Sequence, residues 1–175
     1  MIRAARADDA PAIAGIYRAF VEGSTISFED VAPDADTMAA RMGAAGGRHP
    51  WLVSERDGAV VAYAYASEWS ARSAYRWTVE TTIYSAPAAH RRGLGRALYG
   101  ALIETLTAQG FAQAIGRISL PNAPSVALHT ALGFRRTGLL HAAGYKGRWI
   151  DVEQWQRPLA EAADPPAEPR PVADF

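Results

Sequence analysis

Cysteine is absent from this 175-residue sequence. Without a thiol there is no disulfide, no thiolate zinc site and no cysteine nucleophile, which fits a reducing compartment. Net charge is absent as well: 18 Lys and Arg balance 18 Asp and Glu. The chain therefore carries no global basic field for nucleic acid or an anionic membrane surface. No apolar run approaches the ~20 residues of a membrane-spanning helix. Met1-Ile2-Arg3-Ala4-Ala5-Arg6 has no apolar stretch of the kind a secretion signal needs. The expectation is a cytoplasmic protein with no nucleic-acid or membrane partner. What the chain does have is apolar material, 49% of its residues, enough for one ordinary domain with a core.

Periodicity and turn residues divide it into alternating elements. Ile2 to Arg6 reads as a strand. Asp8 or Asp9 can cap a helix with Pro11 in its first turn and Ile13, Ile16, Tyr17, Phe20 and Val21 on one face. Asp34 caps a weaker helix that ends near Gly46. Trp51 to Arg56 and Ala59 to Trp69 are strands joined by Asp57-Gly58, a hairpin signal. Arg76 to Ser85 is a strand, Gly93 to Gly110 a helix and Phe111 to Leu120 a strand. Ser125 to Leu132 is a short helix, with Gly133 placed as its C-terminal glycine. Arg135 to Tyr145 and Trp149 to Pro158 close the series. The order β-α-α-β-β-β-α-β-α-β-β predicts an α/β fold with a mixed sheet in a single domain, residues 1–159. Ala160 to Phe175, with four prolines and no periodicity, reads as a disordered tail.

One stretch stands out chemically: His90-Arg91-Arg92-Gly93-Leu94-Gly95-Arg96 follows an extended strand and opens a helix. N–H groups at a helix start have no helical partners, and the helix dipole adds partial positive charge. Gly93 and Gly95 let a phosphate approach the backbone, and Arg91, Arg92 and Arg96 add full charges. The spacing is neither a dinucleotide fingerprint nor a P-loop. It resembles the pyrophosphate loop of the GNAT superfamily of N-acetyltransferases.

Further blocks sharpen the resemblance. Among them are Trp77-Thr78-Val79-Glu80-Thr81-Thr82-Ile83-Tyr84, Leu120-Pro121-Asn122-Ala123-Pro124-Ser125 and Leu128-His129-Thr130-Ala131-Leu132-Gly133-Phe134. Ala71-Arg72-Ser73-Ala74-Tyr75 and Ala142-Ala143-Gly144-Tyr145-Lys146 continue the series. Together these resemble the phosphinothricin N-acetyltransferases and the related methionine sulfone and sulfoximine acetyltransferases. The resemblance runs from about Ile2 to Leu159. It implies a mostly antiparallel sheet splayed at an acyl-CoA cleft and flanked by helices, acetyl-CoA as co-substrate, a small-molecule amine acceptor, no metal and a homodimer.

It also implies roles. Glu80 would be the general base that deprotonates the acceptor's ammonium. Elsewhere a mid-strand carboxylate is a solvent-facing residue or the partner of a cation such as Arg76. Ile83, Tyr84 and Ser85 would bind pantetheine through their backbone, and Arg91, Arg92, Gly93, Leu94, Gly95 and Arg96 the pyrophosphate. Asn122, with Ser125, is either a cofactor contact or a helix cap. His129 stands where many superfamily members carry a tyrosine that protonates the leaving thiolate; Tyr99 and Tyr145 are the other candidates. Phe28, Arg72, Tyr75, Thr81, Thr82 and Tyr145 are the candidate acceptor contacts, Arg72 as a fork for a carboxylate.

Two classes of function follow. One is acetyl transfer to the α-amino group of phosphinothricin, methionine sulfoximine or methionine sulfone, with another small amine or a protein N-terminus as alternative acceptors. The other is a non-catalytic acyl-CoA-binding module, which would keep the Arg-Gly loop but has no need of Glu80. Resistance to a herbicidal amino acid and routine acetylation of an oxidised methionine would use the same chemistry.

Overall fold

The computed structural model describes residues 1–89, 93–161 and 163–172. His90, Arg91 and Arg92 lie outside the described residues, so the two leading arginines of the loop have no structural account here.

The strands are β1 (Ile2–Ala4), β2 (Trp51–Arg56), β3 (Ala59–Glu68), β4 (Thr78–Ser85), β5 (Gln113–Ser119), β6 (Arg135–Tyr145) and β7 (Trp149–Pro158). The helices are α1 (Ala10–Gly23), α2 (Ala35–Ala44), α3 (Leu94–Gln109) and α4 (Ala123–Ala131). The strands form one sheet in the order β1-β2-β3-β4-β5-β7-β6. Neighbours are antiparallel except β4 and β5, which run parallel. This is the mixed α/β sheet that the element order predicts, mostly antiparallel as the resemblance implies.

Local chemistry explains most of the boundaries. Asp57 and Gly58 sit at φ 51° and 76°, the left-handed pair that a tight hairpin requires. Asp34 caps α2 by accepting the Thr37 N–H at 2.8 Å. Asp9 precedes α1, but its carboxylate turns back to the Arg6 N–H and the Arg3 guanidinium instead of capping the helix. A charge-assisted fork outcompetes a single cap bond.

Alternation on β3 sorts the two faces of the sheet. Ala62, Ala64 and Ala66 are buried under α3 with Leu98, Leu102, Leu106 and Phe111. Tyr63 lies on the other face with Ile13, Tyr17, Val21 and Met38 of α1 and α2. The same alternation on β4 sends Thr81 and Glu80 to opposite faces.

The ladder between β4 and β5 is short. It registers Thr78 with Gln113, Val79 with Ala114 and Glu80 with Ile115, and stops. Beyond that point β4 keeps pairing with β3 as far as Ser85, and β5 with β7 as far as Ser119. The two strands therefore part, and their facing edges open a cleft.

The C-terminal segment departs from the sequence expectation. Its described residues are held down rather than loose. Arg170 N–H donates to Gln109 O at 2.8 Å, Val172 N–H to Gly47 O at 2.7 Å, and the Trp77 indole N–H to Ala167 O at 2.8 Å. Pro169 is buried, and Arg76 pairs with Glu168 at 2.7 Å. Proline-rich composition removes helix and strand as options, but it leaves an extended segment free to dock through its main chain.

Candidate active site

The parting of β4 and β5 forms a cleft of about 560 Å3. One wall is the end of β4, Thr81 through Ser85. Across it lie Arg117, Ile118 and Ser119 of β5. Gly93, Leu94, Gly95 and Arg96 close one end, and Asn122, Ser125, Leu128 and His129 the other side. The structure thus brings together twelve of the residues singled out from sequence: Thr81, Thr82, Ile83, Tyr84, Ser85, Gly93, Leu94, Gly95, Arg96, Asn122, Ser125 and His129.

The α3 end of the cleft suits an anion. Gly93 has φ 72°, a left-handed turn that swings the chain sharply into the helix. The Ala97 N–H donates to the Gly93 carbonyl. The N–H groups of Leu94, Gly95 and Arg96 precede it and have no carbonyl within the helix. Arg96 contributes a full charge beside them. Asn122 proves to be the N-cap of α4, accepting the Ser125 N–H at 3.3 Å. Of its two open roles, capping is the one the geometry displays.

On the inner wall His129 is 4% exposed. Its Nδ1 lies 2.8 Å from the Ser125 carbonyl. A carbonyl can only accept, so Nδ1 carries the proton and Nε2 a lone pair. The Tyr99 hydroxyl lies 3.1 Å from Nε2 and 2.7 Å from Thr81 Oγ1. Burial holds the imidazole below its usual pKa and pushes the Tyr99 phenol above its own. The outcome is a neutral chain, His129–Tyr99–Thr81, ending where β4 leaves β5. Gly116 opposite has no side chain because none fits: a Cβ there would lie 2.7 Å from His129 Nε2.

Glu80 occupies the last registered pair before the strands part. It is not free. Arg117 Nε and NH2 donate to its two oxygens, each at 2.7 Å. The ion-pair partner weighed from sequence, Arg76, lies elsewhere with Glu168. Arg117, on the cleft wall, is the partner of Glu80 that sequence reading missed. The available signal was that a mid-strand carboxylate needs a cation, and Arg117 shares its face from the adjoining strand.

The acceptor candidates divide. Thr81 and Thr82 line the cleft, but Phe28, Arg72, Tyr75 and Tyr145 are not on its walls. Arg72 and Tyr75 are exposed in the β3–β4 connection, where Ser73–Tyr75 forms a 3-10 turn. Tyr145 is 63% exposed and meets Trp149 edge-on. Phe28 packs on Gly144 of β6. Lys146, not anticipated, locks the same loop in place. Its ammonium donates to the carbonyls of Val21, Ser27 and Glu29, the last two at 3.0 Å. The loop between α1 and α2 is thereby tied to the β6–β7 hairpin beside the cleft.

Among the described residues no three His, Asp or Glu side chains gather as metal ligands would, and no helix is long and apolar enough to cross a membrane.

A sheet parted beside the N-terminus of a helix, with a carboxylate at the parting, is the arrangement that the resemblance to acyl-CoA-dependent acyltransferases implies. Comparison with known proteins supplies the family. The model of the acetyltransferase (GNAT) domain matches residues 2–154, and this chain belongs to that family. A phosphinothricin N-acetyltransferase of Streptomyces viridochromogenes is 44% identical over 98% of this chain and 92% of its own. An L-methionine sulfoximine/L-methionine sulfone acetyltransferase of Salmonella typhimurium is 36% identical over 95% and 98%. Among solved structures, a GNAT-superfamily phosphinothricin acetyltransferase from Sinorhizobium meliloti in complex with acetyl-CoA superposes with a TM-score of 0.90. It has 41% identity and covers 97% of this chain and 92% of that one.

Proposed function

We propose that this protein transfers the acetyl group of acetyl-CoA to the α-amino group of a small amino-acid-like acceptor, of the phosphinothricin, methionine sulfoximine and methionine sulfone kind. The observation that carries this reading is the parting of β4 from β5 immediately after Glu80 and Ile115. In this reading Glu80, one residue before the cleft-lining Thr81, is the carboxylate beside the point where a thioester lying along the β4 edge would meet an amine.

The N–H groups of the first turn of α3, Leu94, Gly95 and Arg96, suit the pyrophosphate of acetyl-CoA, and the backbone edge of Ile83, Tyr84 and Ser85 suits its pantetheine amides. Glu80 accepts a proton from the acceptor's ammonium. Glu80 passes that proton to solvent, the free amine attacks the acetyl carbon directly, the new N–C bond forms, the C–S bond breaks, and the second proton, shed by the acylated nitrogen, ends on the CoA sulfur. Backbone amides of β4 near Ile83 support the developing oxyanion. His129 acts as a positioning residue. Its one proton is committed to Ser125 and its lone pair to Tyr99, so it holds Thr81 and the β4 edge rather than protonating the thiolate.

The names of the relatives support the acceptor class, and acetylation of phosphinothricin would confer herbicide resistance. Reliance on acetyl-CoA supports a cytoplasmic site of action. Leu140, Tyr145 and Trp149, exposed on β6 and β7, support a homodimer interface on that hairpin.

The test is initial-rate release of free CoA from acetyl-CoA with phosphinothricin, methionine sulfoximine, methionine sulfone, ordinary amino acids and small peptides. A clear kcat/KM preference for one of the first three is the expected result. Tight acetyl-CoA binding with no turnover on any amine would instead indicate a non-catalytic acyl-CoA-binding module.

A further inference from the structure

The cleft opens at one end of the β4–β5 pair, and the C-terminal segment crosses the other, closed end. Three registered pairs join the two strands there. Before them the Trp77 carbonyl accepts from the Ala112 and Gln113 N–H groups at 2.8 and 3.3 Å. A parallel ladder is slightly weaker per residue than an antiparallel one. Glu80 is the last β4 residue of this short ladder, so a swing of the strands at Trp77 moves its carboxylate.

Residues 167–172 tie together three segments that meet at the closed end. At the start of β4, the Trp77 indole N–H donates to Ala167 O at 2.8 Å, and Arg76 Nε to Glu168 at 2.7 Å. At the end of α3, just ahead of β5, the Arg170 N–H donates to Gln109 O at 2.8 Å and its guanidinium to Ala108 O at 2.7 Å. In the α2–β2 loop, the Val172 N–H donates to Gly47 O at 2.7 Å.

Gln109 links these contacts from inside. It is 1% exposed, and its side-chain nitrogen donates to Arg170 O at 2.8 Å and to Arg48 O at 2.9 Å. Arg48 in turn donates to Arg76 O at 2.9 Å. The bonds close a ring from Gln109 through Arg48 and Arg76 to Glu168, and back through Arg170, with the C-terminal segment as one side. A buried amide that loses an acceptor is costly, so Gln109 and the segment hold each other in place. The Arg76–Glu168 pair is exposed and adds little. The main-chain bonds and the buried Pro169 carry the docking.

We propose that residues 167–172 are a clamp on the closed end of the β4–β5 pair, with Trp77 and Gln109 as positioning residues for Glu80. This rests on the acetyltransferase reading above and adds to it an element remote from the cleft. The anion-binding end of the cleft is at Leu94, the far end of a 16-residue helix from Gln109, about 24 Å away. Releasing the clamp therefore lowers kcat, through the placement of Glu80, and spares acetyl-CoA affinity.

The experiment uses the full chain and three variants. Pro169→Asp puts a carboxylate where the buried ring sits, Pro169→Val keeps that place apolar, and Trp77→Phe removes one donor while keeping an aromatic ring. Hydrogen exchange at the Arg170 and Val172 amides reports docking, and CoA release with L-methionine sulfone gives kcat. Calorimetry gives acetyl-CoA affinity, and thermal unfolding confirms that each variant is folded at the assay temperature. Pro169→Asp should speed exchange at both amides and lower kcat by about tenfold to a hundredfold, the cost of a misplaced catalytic group. Acetyl-CoA affinity should stay as it is. Trp77→Phe should act in the same direction to a smaller extent, and Pro169→Val should recover most of the loss. A kcat that does not fall in step with faster exchange across the variants would overturn the proposal, because the segment would then serve stability alone. A parallel fall in acetyl-CoA affinity would overturn it too, as would fast exchange at both amides in the unaltered protein. Each of these results, with normal turnover by the unaltered protein, leaves the acetyltransferase reading standing. No turnover by the unaltered protein on any amine would end that reading and this one with it.

Discussion

The Phe28 ring fills the space that a side chain on Gly144 would need: a Cβ on Gly144 would lie 2.7 Å from Phe28 Cζ and 2.8 Å from Cδ2. The contact joins the α1–α2 loop to β6, and the Lys146 ammonium reinforces it from the next turn. Phe28 is 42% exposed, so Gly144→Ala should push the ring outward at a stability cost of about 0.5 kcal/mol, the range of surface changes. The expected signature is a raised acceptor KM with acetyl-CoA affinity unaltered. An unchanged acceptor KM would show that this contact does not reach the cleft through Ile26, the residue of the same loop that lines it.

Glu80→Gln keeps the shape of the side chain and removes its basicity. Turnover should drop by about 10²–10⁴, the usual contribution of a positioned general base. Acetyl-CoA affinity, carried by the β4 edge and the start of α3, should persist. Turnover at the unaltered rate would show that another group takes the proton.

Gly116→Ala would place a methyl 2.7 Å from His129 Nε2 and 2.9 Å from Cδ2. The ring is buried and cannot swing into solvent as Phe28 can. It should shift and break the Tyr99 bond, with overpacking costing about 1–3 kcal/mol of stability. Misplacing the β4 edge in this way should lower kcat by up to about a hundredfold. The readouts are Tm and single-turnover rate; a normal rate with a lowered Tm would make the His129–Tyr99–Thr81 chain structural only.

Stability should depend on pH through two imidazoles, His129, which is buried, and His49, which is half-buried. Burial lowers the pKa of His129, and burial together with Arg48 lowers that of His49. Below the unfolded value of 6.5 the unfolded chain binds protons that the folded one refuses. Stability is therefore fully present above about pH 6.5 and declines as pH falls toward the lowered values. The slope is about 1.4 kcal/mol per pH unit for each such histidine. A Tm that holds constant from pH 7 to 5 would contradict neutral rings at both positions.

Much of the fold was legible because its signals are local. Asp57-Gly58 specifies a hairpin by backbone conformation alone, and alternating Ala and Tyr along β3 specify which face takes α3. The strand–glycine–helix order around Gly93 marked the anion-binding end. Where a residue had two local options, the sequence left the choice open. Asp9 could cap α1 or pair with Arg3, and Asn122 could cap α4 or contact a cofactor. The C-terminal segment misled because its composition excludes regular structure without saying whether the main chain docks elsewhere, as it does on Gln109 and Gly47.

By itself the sequence determined the order of elements, the α/β class, the family resemblance and the strand on which Glu80 sits. Each depends on residues within a few positions of one another, where steric preference and hydrogen-bonding reach act directly. Only the tertiary structure decided that Glu80 is held by Arg117, that His129 is a neutral acceptor for Tyr99, that Arg72 stands off the cleft and that Phe28 rests on Gly144. These relationships join residues far apart in the chain. Their geometry depends on where β4 and β5 part and on which loops the β6–β7 hairpin can reach, and no local periodicity encodes either.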